Sequence, residues 1–193
     1  MARITDLKKV ERLKQSTMKL VVERGFGGAS AALIASDAQV ASGYFYMHYA
    51  GKYEMVNAIL QEVYLEVLDE FKGLVENGNS FEIIVEKIVR HFVDMANSDP
   101  VKIKFLYVLT NDYSFVVDQQ IRENIYQIIR QISELGKQGG SLDPKITDED
   151  LFLILITTIF QYINQYFKNH KQETKIQEEE TQHLLYLVQK FLK

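Results

Sequence analysis

QVASGYFYMHYAGKYEM, residues 39–55, carries five aromatic rings and a histidine, and its only charges are Lys52 and Glu54. Rings meant only for a core keep aliphatic company, whereas these alternate with Ser42, Gly43, His48 and Lys52, groups that want water or a polar partner. A helix starting near Ala41 would place Phe45 and Tyr49 four residues apart on one face, with Val40 just before them, to pack on whatever precedes. Its other face would show Ser42, Gly43, Tyr44, Tyr46, Met47 and His48. A short, weakly charged, hydroxyl-rich face suits a DNA major groove, where side chains near a helix start reach base edges and tyrosine hydroxyls bond phosphate oxygens. Gly43 would let the backbone come close. Lys52 would open the following helix, where a cation beside free N–H groups holds a phosphate. The same tyrosines would equally serve to cover a neighbouring helix, with Lys52 solvated.

Upstream, the pattern predicts a first helix over 6–24, with Leu13, Met18, Leu20, Val21 and Val22 on its apolar side and Gly25 as its stop. Ser30 caps a second short helix, AALIASDA, that turns Leu33, Ile34 and Ala38 inward. Residues 39–41 are too few for a linker, so three helices joined by tight turns make a helix-turn-helix unit. Charge agrees with this division. Residues 1–56 hold eight Lys/Arg against five Asp/Glu, while residues 57–193 hold fourteen against twenty-one. A basic head on an acidic body suits an end that approaches a polyanion.

On these residues the chain resembles a known family. ERGFGGAS followed by ALIASDAQVASGYFYMHYAGKYEM is similar to the amino-terminal pattern of the TetR (tetracycline-repressor) family of bacterial transcription regulators. Ser30, Ile34, Ala35, Ala38, Val40, Gly43, Phe45, Tyr46, His48, Tyr49 and Lys52 fall in register, and Glu54 is shifted by one. The likeness covers residues 7–60. It implies double-stranded operator DNA as partner, with Ser30, Ser42, Gly43, Tyr44, Tyr46, Met47, His48 and Lys52 facing it. Two positions depart from the pattern. Gln39 stands where a glycine is usual in the turn, and Ala41 stands where a serine would cap the recognition helix, a loss of about 1 kcal/mol.

The remainder reads as helix throughout, with 47% apolar and 25% charged residues and only two prolines. Predicted helices cover 52–76, 81–96, 100–109 with Asp99 as cap, 115–135, 147–170 opened by a Thr147–Asp150 capping box, and 176–192. The first would join the domains with no flexible spacer. The expected architecture is all-α, a three-helix DNA-binding domain over 1–52 and a helical ligand-binding and dimerisation bundle over 53–193. LFLILITTIF, residues 151–160, is apolar nearly all round and needs a second buried surface. Either a monomer core or a homodimer seam supplies it. The resemblance favours the dimer, with Phe152, Leu155, Ile159, Tyr162 and Ile163 of this helix and Leu184, Leu185, Val188 and Phe191 of the last meeting their copies.

Family members commonly keep a cavity among the middle helices, which implies a small apolar or aromatic effector. Phe105, Leu109, Asn111, Tyr126, Gln127, Phe160 and Gln161 are its candidate lining. The functional expectation is a ligand-responsive regulator, a repressor released from its operator by the effector. The competing reading is a dimeric helical binding module that does not use its helix-turn-helix on DNA. Catalysis finds no support. Cysteine is absent, no glycine-rich phosphate loop or Gly-x-Ser-x-Gly elbow occurs, and the histidines at 48, 91, 170 and 183 lack zinc-ligand spacing. No enzyme, metal or cofactor is expected. With no secretory signal and no apolar run of about 20 residues, a cytoplasmic protein that does not enter the membrane is expected.

Overall fold

The computed structural model describes residues 6–170 and 175–193. It is all-α. The helices are α1 (Leu7–Gly28), α2 (Ala31–Asp37), α3 (Ser42–His48), α4 (Lys52–Glu76), α5 (Phe81–Ser98), α6 (Pro100–Asn111), α7 (Gln119–Gln138), α8 (Asp148–Phe152), α9 (Thr158–Asn169) and α10 (Glu178–Phe191), with a π-helical turn at Leu153–Thr157 between α8 and α9. No strand occurs among the described residues. The packing resolves into two compact units, one of Met1–Val63 with Lys104–Val117, the other of Tyr64–Ile103 with Asp118–Lys193.

In the first unit α1 packs on α2 and α2 on α3 around Leu13, Met18, Val21, Ile34 and Phe45. The helical path of α1 breaks at Gly25, which takes φ 71° and ψ 168°, a left-handed φ that glycine adopts freely. The expected stop therefore falls at Gly25, and one further turn follows it. That turn is held from a distant part of the chain. The Phe26 N–H donates to Asp112 Oδ2 at 2.8 Å. Phe115 sets its ring 5.0 Å from Phe26 and 5.8 Å from Tyr53. The Tyr53 hydroxyl donates to the Val116 carbonyl at 3.0 Å. Asp112 in turn accepts from the Ser114 hydroxyl and N–H at 2.6 and 2.9 Å. The Ser114 hydroxyl, then the backbone donors, hold the Asp112 carboxyl below its ordinary range. Residues 104–117 thus complete the head.

In the second unit α5 packs against α10, α9, α7 and the π turn, burying Ile84, Val85, Ile88, Val89 and Phe92. Arg90 of α5 donates through both terminal nitrogens to Glu178 of α10, at 3.0 and 2.8 Å. The Thr147 capping box forms with both its bonds, and Asp99 caps α6 through the Lys102 N–H at 3.0 Å. The start of α7 lies at Gln119, later than the expected 115, because Asp118 takes the Gln120 N–H and Phe115 belongs to the first unit.

The apolar run at 151–160 is not a regular α-helix. Its middle widens into the π turn, and the Thr158 hydroxyl donates to the Leu153 carbonyl at 3.1 Å. Leu155, Ile159, Ile163, Leu184, Leu185 and Val188, expected at a seam between copies, are all buried within this one chain. The second surface that the run requires is supplied by α5, α7 and α10 of the same unit. Phe152 and Tyr162 are half-buried, and Phe191 remains 58% exposed. Leu153 and Tyr186 are large and exposed beside them in sequence. No described helix is long and apolar enough to cross a membrane.

Candidate nucleic-acid interface and ligand cavity

The head presents α3 through a turn that the sequence makes costly. Gln39 adopts φ 55°, the one non-glycine residue with positive φ among those described. A side chain there adds strain of about 1 kcal/mol. Ala41 occupies the N-cap of α3 with no side-chain bond to the free N–H groups, and Ser42 supplies none either. Ser30, by contrast, caps α2 by accepting from the Leu33 N–H at 3.2 Å. The double variant Gln39→Gly with Ala41→Ser is therefore expected to raise stability by about 1 to 2 kcal/mol. A rise in the midpoint of urea unfolding at unchanged slope would verify it.

Phe45 is fully buried and anchors α3. Tyr46 and Met47 are 59% and 46% exposed, and Ser42 and Gly43 lie open to solvent with them. A Cβ built on Gly43 meets nothing within 4 Å, so the opening of α3 is clear for a large partner. The other residues expected on this face are engaged inward. The Tyr44 hydroxyl donates to the Asp6 carbonyl at 3.1 Å. His48 lies 4.7 Å from the Tyr44 ring, and its Nε2 is buried without a hydrogen-bond partner among the described residues. Lys52 donates to the Phe26 carbonyl, and its ammonium sits 4.1 Å from the centre of the Phe26 ring. Burial pushes the Lys52 pKa down, against the pull of Asp112. Lys52 thus fastens α4 to the turn after Gly25. At the start of α4, Glu54 reaches back to accept from the Ala50 N–H, where Lys52 was expected to hold a phosphate.

Other cations of the head are neutralised locally. Lys9 pairs with Asp6 at 3.4 Å, Lys14 with Glu62 at 2.6 Å and Lys19 with Asp37 at 2.7 Å. Lys8, Arg12 and Arg24 are exposed and make no ion pair among the described residues. Lys8 and Arg12 share the opening turns of α1 with Lys9, whose ammonium lies 5.5 Å from the Tyr44 ring. The start of α1 thus meets α3 through Lys9 and Tyr44.

The second unit holds a small, partly open apolar cavity with room for little more than one water, about 20 Å³. Tyr64, Val67, Leu68 and Phe71 of α4 line it, with Phe92 of α5, Ile125, Ile128 and Ile129 of α7, Phe152 of α8 and Ile156 of the π turn. None of the seven residues expected to line an effector cavity lines this one, although Asn111 borders an open groove of the first unit with Tyr107, Val108, Asp112, Tyr113 and Ser114. Phe105, Leu109 and Asn111 belong to the first unit. Tyr126 stacks on Phe152 at 5.5 Å, one layer out, and Phe160 meets Phe92 edge-on at 4.9 Å. Gln127 and Gln161 are both exposed. The stripes at 64, 67, 68, 71 and at 125, 128, 129 have helical spacing and were legible as buried faces, but nothing local marks them as facing each other. Burial lifts the Tyr64 phenol to a pKa of about 12. Among the described residues no cluster of His, Asp or Glu could hold a metal ion.

Comparison with known proteins supports the reading of the head. Residues 15–59 match the family model for bacterial regulatory proteins of the tetR family. An uncharacterised HTH-type transcriptional regulator of Bacillus subtilis, YvdT, is 26% identical over 81 residues; the match spans 42% of each chain. Among solved structures, a tetR-family transcription regulator from Shewanella sp. PV-4 has a TM-score of 0.71 and 22% identity, covering 94% of this chain and 96% of that one. The transcriptional regulator FadR from Bacillus subtilis, solved with stearoyl-CoA, has a TM-score of 0.64 and 14% identity over 95% and 99% of the two chains.

Proposed function

We propose that the chain, whose residues 15–59 match the tetR-family model and whose all-α fold matches that of solved regulators of the family, is a ligand-responsive transcription regulator. It acts as a repressor that leaves its operator when an apolar effector enters the body. The observation that carries this reading is α3, an uncharged helix whose Tyr46, Met47, Ser42 and Gly43 face solvent while Phe45 fixes it from behind. Such a face reads base edges, with Met47 and the Tyr46 ring suited to thymine methyl groups and the hydroxyls to base or phosphate acceptors. Lys8 and Arg12, which make no ion pair among the described residues, contribute phosphate contacts. Two copies are needed to read two half-sites. In this reading Phe191, expected there from the sequence, joins the copies together with Leu153 and Tyr186, all exposed on the π turn and α10, because Leu155, Ile159, Ile163, Leu184, Leu185 and Val188 are buried within the chain.

The body supports an effector site through its apolar cavity. The fold relative from Bacillus subtilis was solved with stearoyl-CoA, which agrees with an apolar class of effector. The cavity holds only about 20 Å³, so effector binding must select a more open body than the one seen. DNA favours the other state, and each ligand opposes the other by its difference in affinity for the two. The protein acts in the cytoplasm without catalysis.

Selection from random duplexes at moderate salt tests the proposal. A defined sequence should emerge, and Arg12→Ala should flatten the dependence of log K on log salt by about 0.9 for each phosphate contact removed. Tyr46→Ala should instead relax sequence preference, and Lys52→Ala should lower stability without changing the slope. A protein that enriches no sequence and shows no salt-dependent binding is a binding module that does not use its head on DNA.

A further inference from the structure

We propose that the effector is an apolar molecule ending in one acidic hydroxyl, a carboxylic acid or a phenol, and that His91, backed by Glu70, receives that hydroxyl beside the small apolar cavity. The proposal rests on reading the cavity as the effector site. His91 lies on α5, its side chain 19% exposed, with Nδ1 2.7 Å from Glu70 Oε2. Its ring stands edge-on to Phe71 at 5.5 Å and to Phe92 at 5.4 Å, and both of these rings line the cavity. Its Nε2 is buried and has no hydrogen-bond partner among the described residues. A buried polar atom left in that state costs about 1–3 kcal/mol, and a ligand that supplies the partner recovers it.

The pairing with Glu70 decides what that partner can be. A carboxylate only accepts, so Nδ1 carries the hydrogen that faces Glu70. In the neutral ring Nε2 is then a bare acceptor, and in the charged ring it is a donor. An ester or ketone satisfies only the second state, and an amine cation is repelled in it. A carboxylic acid or phenol satisfies both, as hydroxyl facing the bare nitrogen or as anion facing N–H, and the charge-assisted form is the stronger bond. The rest of the cavity wall is hydrocarbon and aromatic apart from the Tyr64 phenol, so the remainder of the molecule must be apolar.

The space seen is far too small for such a molecule, and one wall is built to yield. Phe152 and Ile156 belong to or adjoin the π turn, where the backbone is wider than an α-helix. Such turns are stable only in context and often mark functional sites. Turning Phe71 or Phe92 aside would join the cavity to Nε2.

Calorimetry on the full chain, with decanoic acid, 4-octylphenol, 1-decanol and methyl decanoate each below its micelle threshold, tests this. The acid or the phenol should bind at least tenfold more tightly than the methyl ester, with the alcohol between; which of the two leads identifies the source of the acidic hydroxyl. In His91→Phe, which keeps a ring against Phe71 and Phe92, that advantage should vanish while ester binding stays. Glu70→Gln, at an exposed position, should shrink the advantage at least threefold and serves should His91→Phe not fold. Ile128→Trp, which fills the cavity, should abolish every signal. If acid, phenol and ester bind the wild type within twofold of one another, or the advantage survives in His91→Phe, the assignment of His91 is wrong. Provided Ile128→Trp still removes binding, the cavity reading then stands without it. If no probe binds, or Ile128→Trp binds like the wild type, the cavity reading fails and takes this proposal with it.

Discussion

Phe45→Ala is expected to lower stability by about 3–5 kcal/mol and to abolish sequence-specific DNA binding. Phe45 is fully buried, with its ring 5.4 Å from Tyr46 and 5.9 Å from Tyr49. α3 spans only Ser42–His48, lacks a side-chain cap and follows a strained Gln39. Helices of two turns have no stability of their own, so this one exists because its apolar face is packed. Removing the ring leaves a cavity under the helix and nothing else to hold it. Urea unfolding gives the first quantity and a mobility-shift titration the second. The decisive comparison is Phe45→Leu, which keeps most of the volume and should retain binding. A Phe45→Ala protein that binds DNA like the wild type would show that α3 is held by something other than this core.

Phe92→Ala should cost a similar amount, about 3–5 kcal/mol. Phe92 is 2% exposed and meets Phe71, His91 and Phe160 edge-on at 6.0, 5.4 and 4.9 Å. Because it lines the cavity, its loss should also enlarge the space there. The variant should then recover part of the deficit when a small apolar molecule such as toluene is added, seen as a rise in Tm that the wild type does not show. A loss below about 1 kcal/mol would mean that the neighbouring rings collapse into the gap, and that this wall is softer than its packing suggests.

The head was readable because its signals are local. Ser30 before an apolar run and the break at Gly25 each act within one or two turns, and the structure places both as expected, while Tyr49 leaves α3 as its C-cap, in extended conformation, instead of continuing the helix face of Phe45. The positive φ at Gln39 was likewise implied by the glycine usual at that place. Partnership across sequence was not readable. Tyr44, His48 and Lys52 have the spacing of a DNA-facing set, yet Tyr44 bonds Asp6 and Lys52 bonds Phe26, and neither choice leaves a mark in the local pattern. The same limit applies at 151–160, where an all-round apolar helix can be buried by its own chain or by a copy. The π turn could not be foreseen because a hydroxyl at Thr158 is compatible with ordinary helix. His91 and Glu70 lie twenty-one positions apart on different helices, so their pairing needed the fold.

The return of residues 104–117 to the head has a consequence for how the protein is made. Phe26 and the turn after Gly25 lack Asp112, Phe115 and the Val116 carbonyl until that segment has been synthesised. On the ribosome, where domains tend to fold in the order they emerge, the nascent amino-terminal helices must wait for this later stretch to leave the exit tunnel. An excised fragment ending at residue 63 would be an unfinished module, and grafting the head onto another body would require carrying both pieces.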